Sequence, residues 1–322
     1  MLRVLTERAL RAGGLDPAVV ERIAQGALDE DLGPDRLDVT TVATIGAEQV
    51  DTADVVARAG GVVAGLAVAA AVFDLAAGRT AEVLLVAADG DRVARGDVLA
   101  TVTGPTRSLL TGERTALNLL SRMSGVATHT RAWVEALAGT KATVLDTRKT
   151  TPGLRPLEKY AVRVGGGANK RLGLYDAAMI KDNHKLAAGG IGPAYRRVRE
   201  AFPEVPVQVE VTDVAEAIEA VEAGATFLLC DNMTPALLAE VVTAVGDRAE
   251  LEATGGLTLE AAAEYAATGV DYLSVGALTH SSPILDIALD LRPEGTGRGR
   301  TDLRPEGTGR GRTDLRPEGT GR

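Results

Sequence analysis

From about residue 140 onward, short apolar runs alternate with stretches in which apolar residues recur at helical spacing. This alternation predicts repeated β-α units, which fit either an α/β barrel or an open doubly wound sheet. The predicted strands cover residues 143–147, 178–182, 207–211, 227–231, 250–254 and 272–276. Predicted helices cover residues 214–223, 235–245 and 259–268, the last with Thr258 as its N-cap.

The first 110 residues have a different pattern, in which one helical stretch precedes short apolar runs separated by Gly and Asp. We expect a helix over residues 17–31, strands over 55–63, 81–87 and 98–102, and a hairpin within 89–104. A long helix over 111–137 connects this region to the β-α units. The pattern therefore predicts six β-α units, as a barrel or an open doubly wound sheet, after a smaller, sandwich-like N-terminal domain.

The chain ends in a twelve-residue repeat, DLRPEGTGRGRT, which begins at Asp290, again at Asp302 and partially at Asp314. Because Gly, Pro and Arg without apolar periodicity do not form a core, we expect residues 292–322 to be disordered. The predicted organisation is therefore an N-terminal domain over 1–117, a barrel over 118–291 and the repeat tail.

Composition narrows the class of protein. Hydrophobic residues make up 45% of the 322 positions, enough for a large core, and the net charge of −9 argues against nucleic acid or an anionic membrane as partner. The longest apolar stretch, residues 59–73, is too short to span a bilayer and is interpreted as core. With no signal segment evident and Cys230 as the only cysteine, we expect a cytoplasmic protein without disulfides.

The distribution of lysine changes this picture, because all six lysines fall between Lys141 and Lys185. That window contains ten cations and four acids in an otherwise acidic chain. One interpretation is a solvated basic face. The other is a pocket for carboxylates and phosphates, since arginine binds planar carboxylates through two hydrogen bonds and lysine suits phosphate.

Charged residues follow the predicted strands, where ligands bind in barrels and open α/β sheets. Arg148 and Lys149 follow the first strand, and Lys181 and Asp231 lie at the ends of two others. Strict alternation in Val207–Val211 places Glu210 on the face opposite the valines, where it forms an internal salt bridge or contacts a ligand. The glycine-bearing turns at 254–256 and 274–276 are candidates for phosphate binding or ordinary tight turns. The three histidines are too dispersed to suggest a metal site.

Several longer strings are specific to one family. GERTALN (112–118), DTRKTTPGLRPLEKYAVRVGGGANKRLG (146–173), IKDNH (180–184), VEVTD (209–213), LLCDN (228–232), EATGGL (252–257) and DYLSVGALTH (271–280) resemble, in order and spacing, the motifs of quinolinate phosphoribosyltransferases. The resemblance covers about residues 15–291. It implies an incomplete, TIM-like α/β barrel of about six strands with a smaller α+β, sandwich-like N-terminal domain. It implies an enzyme of de novo NAD biosynthesis that converts quinolinate and 5-phosphoribosyl 1-diphosphate to nicotinate mononucleotide, pyrophosphate and carbon dioxide with Mg²⁺.

The resemblance also implies residue roles. Lys149, Lys181, Glu210 and Asp231 would be catalytic, with Glu210 and Asp231 near Mg²⁺ through water or ligand, in a homodimer or higher oligomer whose Arg114 completes the neighbouring site. The full set implied to contact substrate is Arg114, Thr147, Arg148, Lys149, Lys170, Arg171, Lys181, Glu210, Asp231, Thr254, Gly255, Gly256, Ser274, Val275, Gly276 and Ala277.

One position departs from the family pattern, because Lys170 stands where members usually carry histidine. Lysine keeps a positive charge but does not titrate near neutral pH. A relative with altered substrate, of the molybdate-transport-associated type, is therefore an alternative. Two rivals from other classes are a Schiff-base aldolase with Lys181 as nucleophile and a non-catalytic protein that binds organic acids.

Overall fold

The N-terminal region begins with three helices. The structure is a computed structural model that describes residues 1–293. Helices α1 (Val4–Ala12), α2 (Pro17–Leu32) and α3 (Val39–Thr44) come first. The start of α2 agrees with the sequence pattern, because the Asp16 side chain accepts a hydrogen bond from the backbone of Ala18 and Pro17 occupies the first turn.

An antiparallel sheet follows, built from β1 (Val50–Ala57), β3 (Glu82–Leu85), β5 (Val98–Pro105) and β12 (Ile287–Pro293) in the order β12-β1-β5-β3. Strands β2 (Gly61–Val62) and β4 (Arg92–Val93) form a separate pair. The predicted hairpin within 89–104 is therefore wrong, since β4 pairs with β2 while β5 pairs with β1 and β3. The predicted strand over 55–63 is divided between β1 and β2.

Helix α4 (Leu66–Ala76) was missed by the sequence analysis, although its residues belong to the apolar stretch interpreted as core. It is buried on nearly all sides, so it lacks the polar face from which helical periodicity is recognised. It packs on the long helix α5 (Thr106–Ala136). The predicted boundary between 117 and 118 falls within α5.

The end of the described chain returns to the N-terminal sheet. Strand β12 pairs antiparallel with β1 along its length, and it includes Asp290, Leu291 and Arg292, the first residues of the repeat. The side chains of Asp290 and Arg292 form ion pairs with Arg58 and Asp54. The first two residues of the predicted tail are therefore ordered strand, and the rest of it lies outside the described residues.

The second half of the chain forms a six-stranded parallel sheet. Its strands are β6 (Thr143–Leu145), β7 (Ala178–Ile180), β8 (Val207–Val211), β9 (Phe227–Asp231), β10 (Glu250–Thr254) and β11 (Tyr272–Ser274), in the order β6-β11-β10-β9-β8-β7. The first strand therefore pairs with the last, as in a barrel and unlike a doubly wound sheet. Since β6 and β7 do not pair, the barrel is incomplete, and the predicted fold class is confirmed.

Helices connect these strands. They are α6 (Arg155–Val164), α7 (Asp182–Ala188), α8 (Ile191–Ala201), α9 (Val214–Glu222), α10 (Pro235–Val245), α11 (Ala262–Ala267) and α12 (Ala277–His280), with a 3-10 turn at Gly246–Arg248. Thr258 is not the N-cap of α11, which starts later, after Ala261. Among residues 1–293, no helix combines the length and apolar character needed to cross a bilayer.

The gap between β6 and β7 is partly covered by the segment that follows α6. Ala168 forms a parallel bridge with Leu145 of β6, and its carbonyl accepts a hydrogen bond from the backbone of Asp146 at 3.2 Å. This bridge directs the next residues, among them Lys170 and Arg171, toward the carboxyl ends of the strands.

Candidate active site

A cavity of about 570 Å³ lies at the carboxyl ends of the parallel strands. Its lining consists of charged side chains from several strands, two glycine-bearing turns and a few apolar residues. They are Thr147, Arg148, Lys149, Lys170, Arg171, Met179, Lys181, Glu210, Leu229, Asp231, Asn232, Glu252, Thr254, Gly255, Gly256, Leu257, Ser274, Val275, Gly276, Ala277 and His280.

Every residue expected to contact substrate lines this one cavity, except Arg114. Arg114 is exposed on α5 and does not line the cavity of its own chain. Strand order explains the convergence of the others, because parallel strands all end at the same edge of the barrel.

The lysine-rich window, by contrast, serves two purposes. Five of its ten cations line the cavity. Lys141, Lys159 and Lys185 instead form ion pairs elsewhere, with Asp271, with Asp146 and with both Asp182 and Glu216. Arg155 and Arg163 donate mainly to neighbouring backbone and side-chain oxygens. Half of the window's cations therefore line the cavity, and the other half are paired or bonded elsewhere.

Three cations of the cavity form no salt bridge. Within residues 1–293, the salt bridges of the structure leave out Arg148, Lys149 and Arg171. The Nε of Arg148 is buried without any hydrogen-bond partner. Burial, and next the charge of Arg148, lower the pKa of Arg171. Uncompensated cations held close together in a cavity favour an anionic ligand.

Helix α6 holds the loops on either side of these cations. Buried Lys159 donates to Asp146 at 2.5 Å, and the same carboxylate accepts from the Asn169 side chain at 2.7 Å and the Lys170 backbone at 2.8 Å. The neighbouring Glu158 accepts from the backbone and hydroxyl of Thr151 at 2.9 and 2.7 Å. One helix thus fixes both the loop after β6 and the segment that carries Lys170.

Lys170 points into the barrel, where its Nζ donates to Glu252 at 2.5 Å. The same Glu252 oxygen accepts from the Ser274 hydroxyl, while the other oxygen is buried without a partner. Burial lowers the pKa of Lys170 and raises that of Glu252. Sequence reasoning missed Glu252, although the alternation that identified Glu210 also occurs in Glu250–Thr254 and could have identified it.

The acidic side of the cavity is formed by Glu210 and Asp231. Lys181 donates to Glu210 at 2.5 Å. Burial raises the pKa of Asp231, and the nearby charge of Glu210 adds to this effect. Among the described residues there is no group of three or more His, Cys, Asp or Glu side chains suited to hold a metal ion. Two carboxylates are nevertheless a common protein contribution to a Mg²⁺ ion that is carried by phosphates.

Both glycine-bearing turns bring backbone close to other cavity residues. Gly255 has φ +94°, and a Cβ there would lie 2.3 Å from Oδ1 of Asn232. A Cβ on Gly276 would lie 3.1 Å from Cδ of Lys149 and 3.2 Å from Nε2 of His280. Side chains at these positions would therefore fill space that the cavity wall already occupies.

Sequence reasoning also missed residues without a distinctive local signal, namely Met179, Leu229, Asn232, Leu257 and His280. His280 was treated as structural, but it lines the cavity beside Gly276. The other histidines do have structural contacts. His129 lies between Ser282 and Trp133, and Nδ1 of His184 accepts from the Lys181 backbone.

Comparison with known protein families agrees with this arrangement. Residues 38–124 match the model of the quinolinate phosphoribosyl transferase N-terminal domain, and residues 126–290 match that of its C-terminal domain. The chain belongs to the quinolinate phosphoribosyltransferase family. The two matches meet inside α5, the helix that joins the antiparallel sheet to the barrel.

Individual quinolinate phosphoribosyltransferase relatives are similar over most of their length. A Mycobacterium leprae nicotinate-nucleotide pyrophosphorylase [carboxylating] is 53% identical over 270 residues, which cover 82% of this chain and 94% of the relative. A probable enzyme of that name from Bacillus subtilis is 43% identical, covering 81% and 90%. The crystal structure of NadC from Streptococcus pyogenes aligns with a TM-score of 0.83 at 38% identity, covering 87% of this chain and 98% of that one.

Proposed function

We propose that this protein transfers the phosphoribosyl group of 5-phosphoribosyl 1-diphosphate to quinolinate, with loss of carbon dioxide. Family membership and the activities for which the relatives are named support this reaction. The observation that assigns this reaction to the cavity is that three of its cations, Arg148, Lys149 and Arg171, form no salt bridge. A dicarboxylate beside a diphosphate is the kind of ligand pair that such a cavity would neutralise.

Quinolinate binding is assigned to the guanidinium groups of Arg148 and Arg171 together with Lys170 and Lys181. Guanidinium groups bind carboxylates through two parallel hydrogen bonds, which would fix the plane of the pyridine ring. The unpartnered Nε of Arg148 is a donor available for this purpose. Orientation of the ring nitrogen toward C1 of the ribose is the main requirement for bond formation.

Transfer separates charge, because the bond from C1 to pyrophosphate breaks as the ring nitrogen approaches. Lys149 and Lys181 would stabilise the departing pyrophosphate, while Glu210 and Asp231 would stabilise the positive character of the sugar. Thr254, Gly255, Gly256, Gly276 and Ala277 would hold the 5′-phosphate through the two turns, with Thr147, Ser274 and Val275 completing the wall.

Decarboxylation follows from the new charge on the pyridine ring. When carbon dioxide leaves, the electrons of the carbon–carbon bond remain on the ring carbon beside the cationic nitrogen, and that carbon then takes up a proton. Arg148, Arg171 and Lys170 would hold the ring in place during this step. No covalent intermediate with the protein is needed, and the ion pair of Lys181 with Glu210 lends no support to an aldolase in which that amine is the nucleophile.

We further propose that Mg²⁺ enters with the diphosphate. Glu210 and Asp231 would hold it directly or through water, which suits a metal that usually takes one or two carboxylates plus substrate phosphates. Its chemistry would be to neutralise charge that develops on the pyrophosphate. Removing Mg²⁺ with a chelator should abolish turnover and leave quinolinate binding measurable.

The neighbouring subunit would supply Arg114, because this residue is exposed on α5 and lies outside its own chain's cavity. The functional unit would then be a homodimer or a larger homo-oligomer. Mixing inactive Arg114→Ala protein with inactive Lys181→Ala protein should restore part of the activity, since some sites then combine two intact contributions. Failure of the mixture to regain any activity, after subunit exchange has been verified, would contradict this assignment.

The experiment that tests the proposed function is pyrophosphate release measured with both substrates and with each one alone. We expect release only with both, and little release when nicotinate replaces quinolinate, because nicotinate lacks one of the carboxylates. Release with nicotinate but not quinolinate would indicate the alternative of an altered substrate. Binding of quinolinate without any release would indicate an organic-acid binding protein instead.

A further inference from the structure

A ring formed by hydrogen bonds and by the short backbone segment from Lys149 to Thr151 lies behind the cavity. Its members are Arg122 of α5, Thr151 after β6, Glu158 of α6, Thr279 of α12 and the backbone of Lys149. Glu158 and Thr279 are fully buried, and the Arg122 side chain is 20% exposed. Only Lys149 among the five lines the cavity, so the proposed catalytic roles leave the other four unexplained.

The ring can be followed from atom to atom. Arg122 donates to Glu158 through Nη2 at 2.8 Å and through Nε at 3.1 Å. Glu158 in turn accepts from the backbone N–H and the hydroxyl of Thr151. Two residues before Thr151, the carbonyl of Lys149 accepts from the Thr279 hydroxyl at 2.8 Å. The ring closes where Nη2 of Arg122 also donates to the Thr279 carbonyl.

We infer that Arg122 and Glu158 are positioning residues that set the distance between Lys149 and the turn at Gly276. The stem of Lys149 passes so close to Gly276 that a Cβ there would lie 3.1 Å from Cδ of Lys149. Both sides of this contact are bonded to Thr279 of the ring. Its hydroxyl donates to the carbonyl of Lys149, and its backbone N–H donates to the carbonyl of Gly276 at 3.1 Å. The inference deepens the proposed function, because it rests on Lys149 and Gly276 binding opposite ends of 5-phosphoribosyl 1-diphosphate.

The burial of Glu158 and the number of its hydrogen bonds indicate that the ring is rigid. A buried carboxylate is costly without partners, and Glu158 meets this cost through hydrogen bonds from Arg122 and Thr151. A hydrogen bond that involves a charged group contributes more than a neutral one, and bonds joined in a network reinforce one another. The ring therefore resists independent movement of the β6 loop and α12.

Quinolinate-binding groups are held by other contacts. Arg155 donates to the carbonyl of Arg148 at 3.3 Å and to the Thr150 hydroxyl at 2.9 Å, and Arg171 donates to the carbonyl of Ala177 at 2.9 Å. Arg148 shares the loop after β6 with Lys149, but these bonds are formed with Arg155 and Ala177, which are not members of the ring, and they remain when the ring is broken. Loosening the ring should consequently affect 5-phosphoribosyl 1-diphosphate far more than quinolinate.

The test compares Glu158→Gln and Thr279→Val with wild type and with Arg131→Gln. Thr279→Val removes one hydroxyl and keeps the shape. Arg131 lies on the same helix as Arg122 and donates to the Gly165 carbonyl, outside the ring, so Arg131→Gln is the control for loss of a hydrogen bond elsewhere in the protein. The quantities measured are kcat and KM for each substrate and the midpoint of unfolding.

We expect kcat/KM for 5-phosphoribosyl 1-diphosphate to fall about 100-fold in Glu158→Gln, the scale of a misplacement near 1 Å. Thr279→Val should lower it about fivefold, the loss of a single hydrogen bond. The KM for quinolinate should stay within about twofold of wild type, as expected for groups outside the network. Arg131→Gln should behave as wild type toward both substrates.

Wild-type kinetics in Thr279→Val and Glu158→Gln would overturn the inference, as would equal losses toward both substrates. If Glu158→Gln does not fold, Thr279→Val decides, because it removes one hydroxyl only. Lys149→Met separates this inference from the proposed function. If that variant loses 5-phosphoribosyl 1-diphosphate turnover while the ring variants do not, the ring has no positioning role. If wild type itself does not use quinolinate, the proposed function has failed instead.

Discussion

Replacing Lys170 by methionine should reveal whether this residue serves stability, activity or both. Its partner Glu252 is fully buried, and only the Ser274 hydroxyl would then remain on that carboxylate. Removing one member of a buried ion pair costs roughly 3–5 kcal/mol, because the remaining charge is uncompensated. We therefore expect Lys170→Met to lower the free energy of unfolding by about that amount in denaturant titrations.

The double variant Lys170→Met/Glu252→Gln separates the two roles. Without either charge, most of the stability should return, since neutral replacements of buried ion pairs are often tolerated. Activity should not return if Lys170 contacts a substrate carboxylate, and the loss of such a charged hydrogen bond predicts a decrease of roughly 10- to 150-fold in kcat/KM for quinolinate. A double variant with full activity would show that Lys170 only neutralises Glu252. A single variant as stable as wild type would refute the electrostatic reasoning.

Three further predictions concern other sites. Burial raises the pKa of Cys230 to about 12, so its thiolate fraction at pH 8 is about one in ten thousand, and a thiol reagent should modify it only after unfolding. Burial lowers the pKa of His129, so the protein should lose stability as the pH falls below about 6.5, the pKa of histidine in the unfolded chain. In denaturant titrations between pH 7 and 5, His129→Gln should reduce this loss. Gly139→Ala should cost only the roughly 1–3 kcal/mol of left-handed backbone strain, because Gly139 has φ +85° and a Cβ there would contact nothing. Gly255→Ala should destabilise the protein by more than that, because its Cβ would also clash with Asn232.

Much of the barrel could be predicted from sequence because its signals are local. Strands β8, β9 and β10 and helix α10 have the predicted limits, and each is bounded by clear changes in polarity. The strands β6, β7 and β11 end two residues earlier than expected, since Thr147, Lys181 and Gly276 belong to the segments that line the cavity. The family strings contain most of the residues that line the cavity, because every string except GERTALN, which lies in α5, includes or directly follows the end of a barrel strand.

The errors occur where long-range contacts decide the structure. Strand β12 contains Asp290 and Arg292, whose pairing with β1 is invisible in a stretch that looks like low-complexity repeat. The segment 89–104 has hairpin-like turns, yet its strands pair with β1, β2 and β3. Helix α4 has no polar face from which its periodicity could be recognised. The alternation in Glu250–Thr254 could have identified Glu252, but its pairing with Lys170 is a long-range contact that the local pattern does not contain.

The most direct test of the account measures carbon dioxide and pyrophosphate together, with quinolinate labelled in the carboxyl group beside the ring nitrogen. We predict one carbon dioxide for each pyrophosphate in the wild-type protein, and loss of both products in Arg148→Ala and Lys181→Ala proteins whose circular dichroism is unchanged. Full release of both products by either variant would contradict the assignment of these cations to the substrates. Pyrophosphate released from the two substrates without carbon dioxide would contradict the proposed reaction itself.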